Sequence, residues 1–216
     1  MTPEMLFFRA PPGKKAKVDL TLYNDDRVPV QAHISLRGDE GKTPWLRVPA
    51  QAISLSPGER RRVTLRARAP RGEGERTVEV VVSMPGPMDS EVRIVRRATL
   101  IMTGTERYAV EVGSVAVRVQ NDGAEVTADC RNTGNMRVRW MAGVDLTMAE
   151  GEPATVFQEG VTGPLDPGET GQAHVTVPLR GRAWTGHGTV RIFFREGPGG
   201  TLQVIKTFGP MERSVQ

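Results

Sequence analysis

The residues that could do metal chemistry in this chain are few and scattered. The sequence has three histidines. His33 and His174 lie at outward positions of alternating segments, and His187 lies between two glycines. A metal site needs several ligands that converge on one point, and these three belong to separate segments with no paired spacing. The sequence therefore predicts surface histidines and no metal site.

Covalent catalysis has equally little support. Cys130 is the only cysteine, so the chain cannot form an internal disulfide. A nucleophilic cysteine needs a base beside it, whereas Cys130 shares the parity of Val126 and Ala128 and is typical of a small core residue. The acid pair Asp25-Asp26 occupies a turn. We expect no catalytic residues and no cofactor, and we interpret the chain as a protein that is not an enzyme.

The composition favours many short strands. The chain has 216 residues, of which 38% are hydrophobic, with 24 glycines and 16 prolines that punctuate short apolar runs. No window of about 18 apolar residues exists, so no membrane span is predicted. The net charge is +4. The basic residues mostly alternate with apolar ones, which is typical of solvated strand faces and gives no indication of a nucleic-acid partner.

Strict alternation of apolar and polar residues recurs along the chain. In residues 15–23, apolar side chains occupy one parity and lysine, aspartate and threonine the other, and residues 28–37 and 63–68 repeat the pattern. About seven such strands in roughly 100 residues, with turns between them, are typical of an immunoglobulin-like sandwich. The sequence predicts an all-β fold of two tandem immunoglobulin-like β-sandwiches, at 1–104 and 105–216, with a linker near 103–107.

The two predicted sandwiches share an internal repeat. The turn Leu55-Ser-Pro-Gly-Glu matches Leu165-Asp-Pro-Gly-Glu, 110 positions later. Asn24, which closes a strand, matches Asn132 at a separation of 108. Two motifs in the same order at nearly the same spacing indicate two related sandwiches.

The last strand predicted for the first sandwich is unusual because it is apolar on both faces. In residues 91–102, Val92, Ile94, Ala98, Leu100 and Met102 fall on one parity. The other parity carries Val95 and Ile101 together with Arg93, Arg97 and Thr99. A strand with one solvated face should read apolar–polar throughout. Either another part of the chain or a partner therefore covers the second apolar face.

The order of these features resembles the periplasmic pilus chaperones of chaperone–usher systems. The features are an apolar first strand, an alternating strand closed by Asn-Asp, a Leu-x-Pro-Gly turn, an apolar strand ending the first sandwich, and a second sandwich with its own Asn-x-Gly and Leu-x-Pro-Gly turns. The resemblance implies that the strand at 91–102 is donated to a pilus subunit that lacks a strand. Main-chain hydrogen bonds then supply affinity, and side-chain pockets supply register.

The resemblance also implies a set of partner-binding residues. Val95, Leu100 and Ile101 are expected as the outward or donated side chains. The family grips the subunit's terminal carboxylate with a basic pair, for which this chain offers Arg9 at the end of the first strand and Arg96 or Arg97 in the donated strand. The complete predicted set is Arg9, Val92, Ile94, Val95, Arg96, Arg97, Leu100, Ile101 and Met102.

The partner implied by the resemblance is a protein subunit of a pilus or surface fibre, and an outer-membrane usher is a second candidate partner. The compartment implied is the periplasm. The N-terminal stretch MTPEMLFFRAPPG lacks a basic start and a long apolar run, so it is not interpreted as a signal peptide.

The alternative function is a structural or adhesive immunoglobulin-like module. In that case Val95 and Ile101 face the other sandwich, or they face a second copy in a homodimer formed through the exposed edge strand.

Overall fold

The computed structural model describes residues 2–38, 45–86, 90–120, 123–159, 163–196 and 200–209. The described residues form strands, turns and irregular segments, and none of them lies in a helix long and apolar enough to cross a membrane. The all-β prediction is confirmed. The chain divides into two compact units, Met1–Glu106 and Arg107–Gln216, which are described separately below as unit 1 and unit 2.

Unit 1 is a sandwich of two sheets. Its strands are β1 (Leu6–Ala10), β2 (Lys15–Tyr23), β3 (Val30–Arg37), β4 (Leu46–Arg47), β5 (Ile53–Leu55), β6 (Arg60–Arg68), β7 (Glu75–Pro85) and β8 (Glu91–Met102). One sheet has the order β1-β8-β7-β3-β5 and the other the order β2-β6-β4. β1 pairs parallel with β8, and the other pairs are antiparallel.

The alternation in the sequence explains why these segments form a sandwich. In β6 the buried residues Val63, Leu65 and Ala67 alternate with exposed polar ones, and the period of two places one parity against the opposite sheet. Trp45 contributes an aromatic anchor, since its ring meets Phe8 edge-on with centroids 5.9 Å apart.

Unit 2 repeats the sandwich plan with seven strands. They are β9 (Val110–Gln120), β10 (Gly123–Asn132), β11 (Trp140–Met148), β12 (Ala154–Glu159), β13 (Thr170–Pro178), β14 (Trp184–Glu196) and β15 (Gly200–Phe208). The sheets have the orders β13-β10-β9 and β12-β11-β14-β15. Two tandem immunoglobulin-like sandwiches, as predicted, are therefore the fold of this chain.

The repeated turns take the same form in the two units. Glu59 N–H donates to the carbonyl of Ser56 at 3.0 Å, and Glu169 N–H donates to the carbonyl of Asp166 at 3.0 Å. The glycine of each turn has a positive φ, 73° at Gly58 and 82° at Gly168, a region that favours glycine. The sequence repeat therefore corresponds to a repeated local structure.

Candidate functional site

Strand β8 is paired along one side and only partly paired along the other. β7 pairs with it from Glu91 to Ile101. On the other side, β1 pairs only with the end of the strand, beginning where Leu6 faces Ala98. Among the described residues, no strand lies beside residues 91–96 on that side. We call residues 91–96 the open edge.

The path of the first residues explains why the edge stays open. Thr2 forms a bridge with Thr21, in which Thr2 N–H donates to the Thr21 carbonyl at 3.1 Å and Thr21 N–H donates back at 2.8 Å. Thr21 lies in β2, in the sheet opposite β8. Residues 2–5 thus lead from one sheet to the other, where β1 begins at Leu6. The backbone of Thr2 therefore pairs with β2 and not with residues 91–96.

The core-facing row of β8 changes from exposed to buried along its length. Val92, Ile94 and Arg96 face Met84, Val82 and Val80 of β7, and the row continues to Ala98, Leu100 and Met102. Val92 is 42% exposed, whereas Ala98, Leu100 and Met102 belong to the core of unit 1. Ile94 and Arg96 are half-buried. The part of this row at the open edge therefore presents apolar side chains that the unit itself covers incompletely.

The outer row of β8 consists of Arg93, Val95, Arg97, Thr99 and Ile101. Val95 is 38% exposed and faces the buried Val81 of β7. Ile101 is only 9% exposed and lies opposite Arg9 of β1. Of the two outer apolar residues, the chain therefore covers Ile101 and leaves Val95 partly open to a partner.

This arrangement corrects part of the predicted set. Leu100 is predicted to point outward for donation, but it lies in the core row, fully buried between β1 and β7, and Met102 of the same row is also fully buried beside β1. Ile101 is buried on the outer face. The sequence could not reveal this because it does not show that β1 covers only residues 98–102. The predicted residues that remain accessible in β8 are those at the open edge together with Arg97.

The expected pairing of basic residues also changes. Arg9 lies on the outer face, in register with Ile101, whereas Arg96 lies on the core-facing side. Arg9 and Arg96 therefore do not form a pair on one face. Arg97 shares the outer face with Arg9, but it lies four residues before Ile101, a strand distance of about 13 Å. The structure does not bring two of these three arginines together at one point.

Most charges near the open edge have partners. Arg93 Nε donates to Glu91 at 2.8 Å, and this hydrogen bond lowers the pKa of the Glu91 carboxyl. Arg37 Nε binds Glu79 at 2.5 Å. Arg96 differs: its Nη1 donates to the carbonyl of Val95 at 3.0 Å, and its buried Nε has no acceptor.

A shallow cleft adjoins the open edge at the β7–β8 hairpin. It was not predicted, and its lining brings residues of three strands together: His33, Ser83, Met84, Pro85, Gly86, Ser90 and Glu91. The only signal in the sequence was the Pro-Gly turn after Met84. His33, Ser83 and Arg93 are in register across β3, β7 and β8, so His33, Ser83 and Glu91 line the cleft from the outer face of the sheet, whereas Val92 belongs to the core-facing row.

The residues considered for catalysis take structural roles. Cys130 is fully buried in the core of unit 2, and burial raises the pKa of its thiol to about 12. A thiol with this pKa stays protonated at neutral pH and is a poor nucleophile. His33 and His187 are exposed, and His174 lies 3.5 Å from the Thr127 hydroxyl. In the described part of the chain, no three His, Cys, Asp or Glu side chains form a group that could hold a metal ion.

An open strand edge binds rather than catalyses. Its unpaired N–H and C=O groups can form a ladder with an extended segment, and its alternating side chains can enter pockets of that segment's own fold. The geometry of residues 91–96 therefore supports recognition of another polypeptide through its main chain.

Comparison with known proteins supports the fold. No protein-family model matches the sequence, and no curated protein matches it. A chain from a chaperone–tip adhesin complex of CFA/I fimbriae biogenesis superposes with a TM-score of 0.52 at 13% identity, covering 94% of this chain and 96% of that one. The expected resemblance to pilus chaperones is thus confirmed in the fold.

Two other structures with pilus chaperones cover a similar share of this chain and have lower TM-scores. The Pseudomonas aeruginosa CupB2 chaperone has a TM-score of 0.41 at 14% identity, covering 94% of this chain and 97% of its own. The structure of Salmonella enterica SafA pilin with the SafB chaperone gives 0.45 at 13% identity, covering 95% and 93%.

Proposed function

We propose that this chain is an assembly chaperone that holds a subunit of a pilus or other surface fibre by donating the open edge of β8 to it. One observation carries the proposal: in the described part of the chain, residues 91–96 have a neighbouring strand on one side only, while Val92 and Ile94 of the same edge are incompletely covered. The chain has no need to perform a reaction in this role, which agrees with the buried and protonated Cys130.

The physical logic is mutual protection of two edges. A subunit that lacks a strand exposes unpaired backbone groups and a hydrophobic groove, and both promote aggregation. Pairing with residues 91–96 would satisfy the backbone groups, and Val92 and Ile94 would enter the groove. Fully burying a valine or isoleucine is worth about 1.5–3 kcal/mol, so two such side chains need the main-chain ladder beside them to give stable capture.

The similarity in fold to a chain of a chaperone–tip adhesin complex supports the class of partner. Fold alone does not determine function, so the subunit, the usher and the periplasmic location all belong to this proposal. The basic anchor for a terminal carboxylate stays a prediction, since Arg9, Arg96 and Arg97 do not converge on one point in this structure.

The test is capture of a partner by the native chain and by edge variants. The native chain and a Val92→Asp/Ile94→Asp variant are used as baits in a periplasmic extract of the source organism, and mass spectrometry identifies what each retains. Val28→Asp is the matched control, because Val28 is an exposed valine elsewhere in unit 1. Circular dichroism checks that each variant is folded.

The proposal expects a small β-rich secreted protein on the native bait and on the control, and its loss from the edge variant. Hydrogen exchange of the complex should show that the amides of residues 91–96 become protected. Equal capture by all three baits would overturn the proposal. Protection that increases with the concentration of the chain alone would also overturn it, since the edge would then join two copies in a homodimer.

A further inference from the structure

The open edge carries a positively charged side chain, Arg96, in the core-facing row that would enter a partner. Arg96 lies on the core-facing side of β8, two residues from Ile94 and two from the buried Ala98. Arg96 is in register with Val80 of β7, and Val80 is in register with Leu36 of β3. Its row and its cross-strand neighbours are therefore apolar.

Arg96 has no acidic partner on its own side of the sheet among the described residues. Its Nε is buried and has no acceptor, and its Nη1 reaches only the neighbouring Val95 carbonyl. The nearest carboxylates in register, Glu79 and Glu91, project from the outer face and bind Arg37 and Arg93. A guanidinium has five donors, so Arg96 keeps donors for a group that the unit does not supply.

We propose that the partner strand carries an acidic side chain that binds Arg96 when it pairs with the open edge. The inference rests on the proposed function and adds a specificity rule to it: the partner's groove takes apolar side chains from Val92 and Ile94 and presents a carboxylate to Arg96. Charge complementarity selects this occupant, because a partner lacking the acid would bury an unpaired cation, which opposes binding.

The carboxylate belongs to a side chain rather than to the partner's chain end. A terminal carboxylate continues the main chain and stays near the plane of the paired strands, whereas side chains stand roughly perpendicular to the sheet. Arg96 projects from that plane toward the core-facing side. Side chains of an added strand that project to the same side are its direct neighbours.

The experiment uses capped, fluorescent peptides of about eight residues, which is the length of a common strand. They alternate valine and threonine, and one central valine is replaced by glutamate, glutamine or lysine. A fourth peptide keeps the central valine and has a free C-terminal carboxylate. Affinity for the full chain is measured by fluorescence anisotropy, and hydrogen exchange reports protection of residues 91–96.

The glutamate peptide should bind the native chain about tenfold or more tightly than the glutamine peptide, which is the effect of a hydrogen bond to a charged group. The preference should vanish in Arg96→Met. It should persist in Arg97→Met, the matched control in the same strand with its side chain on the outer face.

The outcomes separate the two proposals. Equal binding of all peptides with protection of the edge overturns the acidic partner and leaves strand donation standing. An Arg96-dependent preference for the free carboxylate in place of glutamate overturns the side-chain source. Absence of edge protection with every peptide counts against strand donation itself and removes the basis of this inference.

Discussion

Asn24 and Asn132 hold equivalent positions in the two units and bind the same set of backbone groups. Asn24 Nδ2 donates to the carbonyls of Val28 at 2.8 Å and Leu55 at 3.0 Å. Asn132 Nδ2 donates to the carbonyls of Met136 at 2.8 Å and Leu165 at 3.1 Å. Both side chains are buried, so each asparagine fastens the end of its strand to the Leu-x-Pro-Gly turn.

The backbone completes the equivalence. Gly58 N–H donates to the Asn24 carbonyl at 2.9 Å, and Gly168 N–H donates to the Asn132 carbonyl at 2.9 Å. The two motifs that repeat in the sequence are thus the two halves of one contact, which is why both recur at nearly the same spacing.

Removing either asparagine side chain should destabilise the unit that contains it. Asn24→Ala and Asn132→Ala each leave two carbonyls and one N–H without their partner, and unsatisfied buried groups cost about 1–3 kcal/mol each. Urea unfolding should show a loss of about 2–4 kcal/mol for each variant. His187→Ala, at an exposed position of unit 2, is the control. A loss below that of the control would contradict the bracing role.

Gly134 should not tolerate a larger side chain. A Cβ there would meet the carbonyl oxygen of Arg107 and lie 2.8 Å from the backbone nitrogen of Ala109, which cannot move aside as a side chain can. We expect Gly134→Ala to lower the melting temperature by several degrees, since about 1–3 kcal/mol is typical of overpacking. Gly113→Ala is the control, because its nearest neighbour is 3.6 Å away. Equal melting temperatures would show that the segment at Arg107 moves freely.

Cys130 should react only when unit 2 opens. Burial raises the pKa of its thiol to about 12 in the fold, from an ordinary pKa of 9.0. The neutral thiol thus stabilises the fold below pH 9, and this contribution is lost as the pH rises from 9 towards 12. Labelling with an aromatic disulfide reagent should be slow at pH 8 and should accelerate in urea at the unfolding midpoint. Rapid labelling of the native chain would show that the thiol is accessible.

Two substitutions in β8 should differ in their effect on folding: one should disrupt the fold and the other should leave it intact. Leu100→Asp places a carboxylate in the fully buried core of unit 1, at a cost of several kcal/mol, so this variant should unfold or melt at much lower temperature. Val95→Asp changes a side chain that is 38% exposed and should leave the fold intact. Thermal unfolding followed by circular dichroism distinguishes the two. If both variants fold alike, the assignment of the core row is wrong.

Arg96→Met should keep or increase the stability of the isolated chain. The substitution removes a buried Nε that has no acceptor and keeps an apolar stem beside Val80. Because an unsatisfied buried group costs about 1–3 kcal/mol, we expect a gain of up to about 1 kcal/mol in urea unfolding. Arg37→Met, which loses an exposed ion pair with Glu79, should leave the stability close to that of the native chain because surface ion pairs contribute little. A clear loss in Arg96→Met would show that the guanidinium stabilises the unit by itself.

Much of the fold followed from the sequence because its signals are local. Alternation in residues 15–23 and 63–68 identifies strands with one buried face, and the buried parity of β6 is the apolar one. Cys130 was correctly interpreted as a core residue because its parity matched that of Val126 and Ala128, and all three are buried. The turns were identified by Pro-Gly, whose backbone preferences act within a few residues.

The sequence by itself determined the alternating strands, the repeat of two sandwiches and the double apolar character of β8, but not strand β12. Only the tertiary structure decided that β1 covers residues 98–102 and leaves residues 91–96 open, that Leu100 belongs to the core, and that Arg9 and Arg96 lie on opposite faces. The physical reason is that parity is a property of one strand, whereas coverage depends on which distant strand pairs beside it. Here that distant strand is β1, whose pairing with β8 begins where Leu6 faces Ala98.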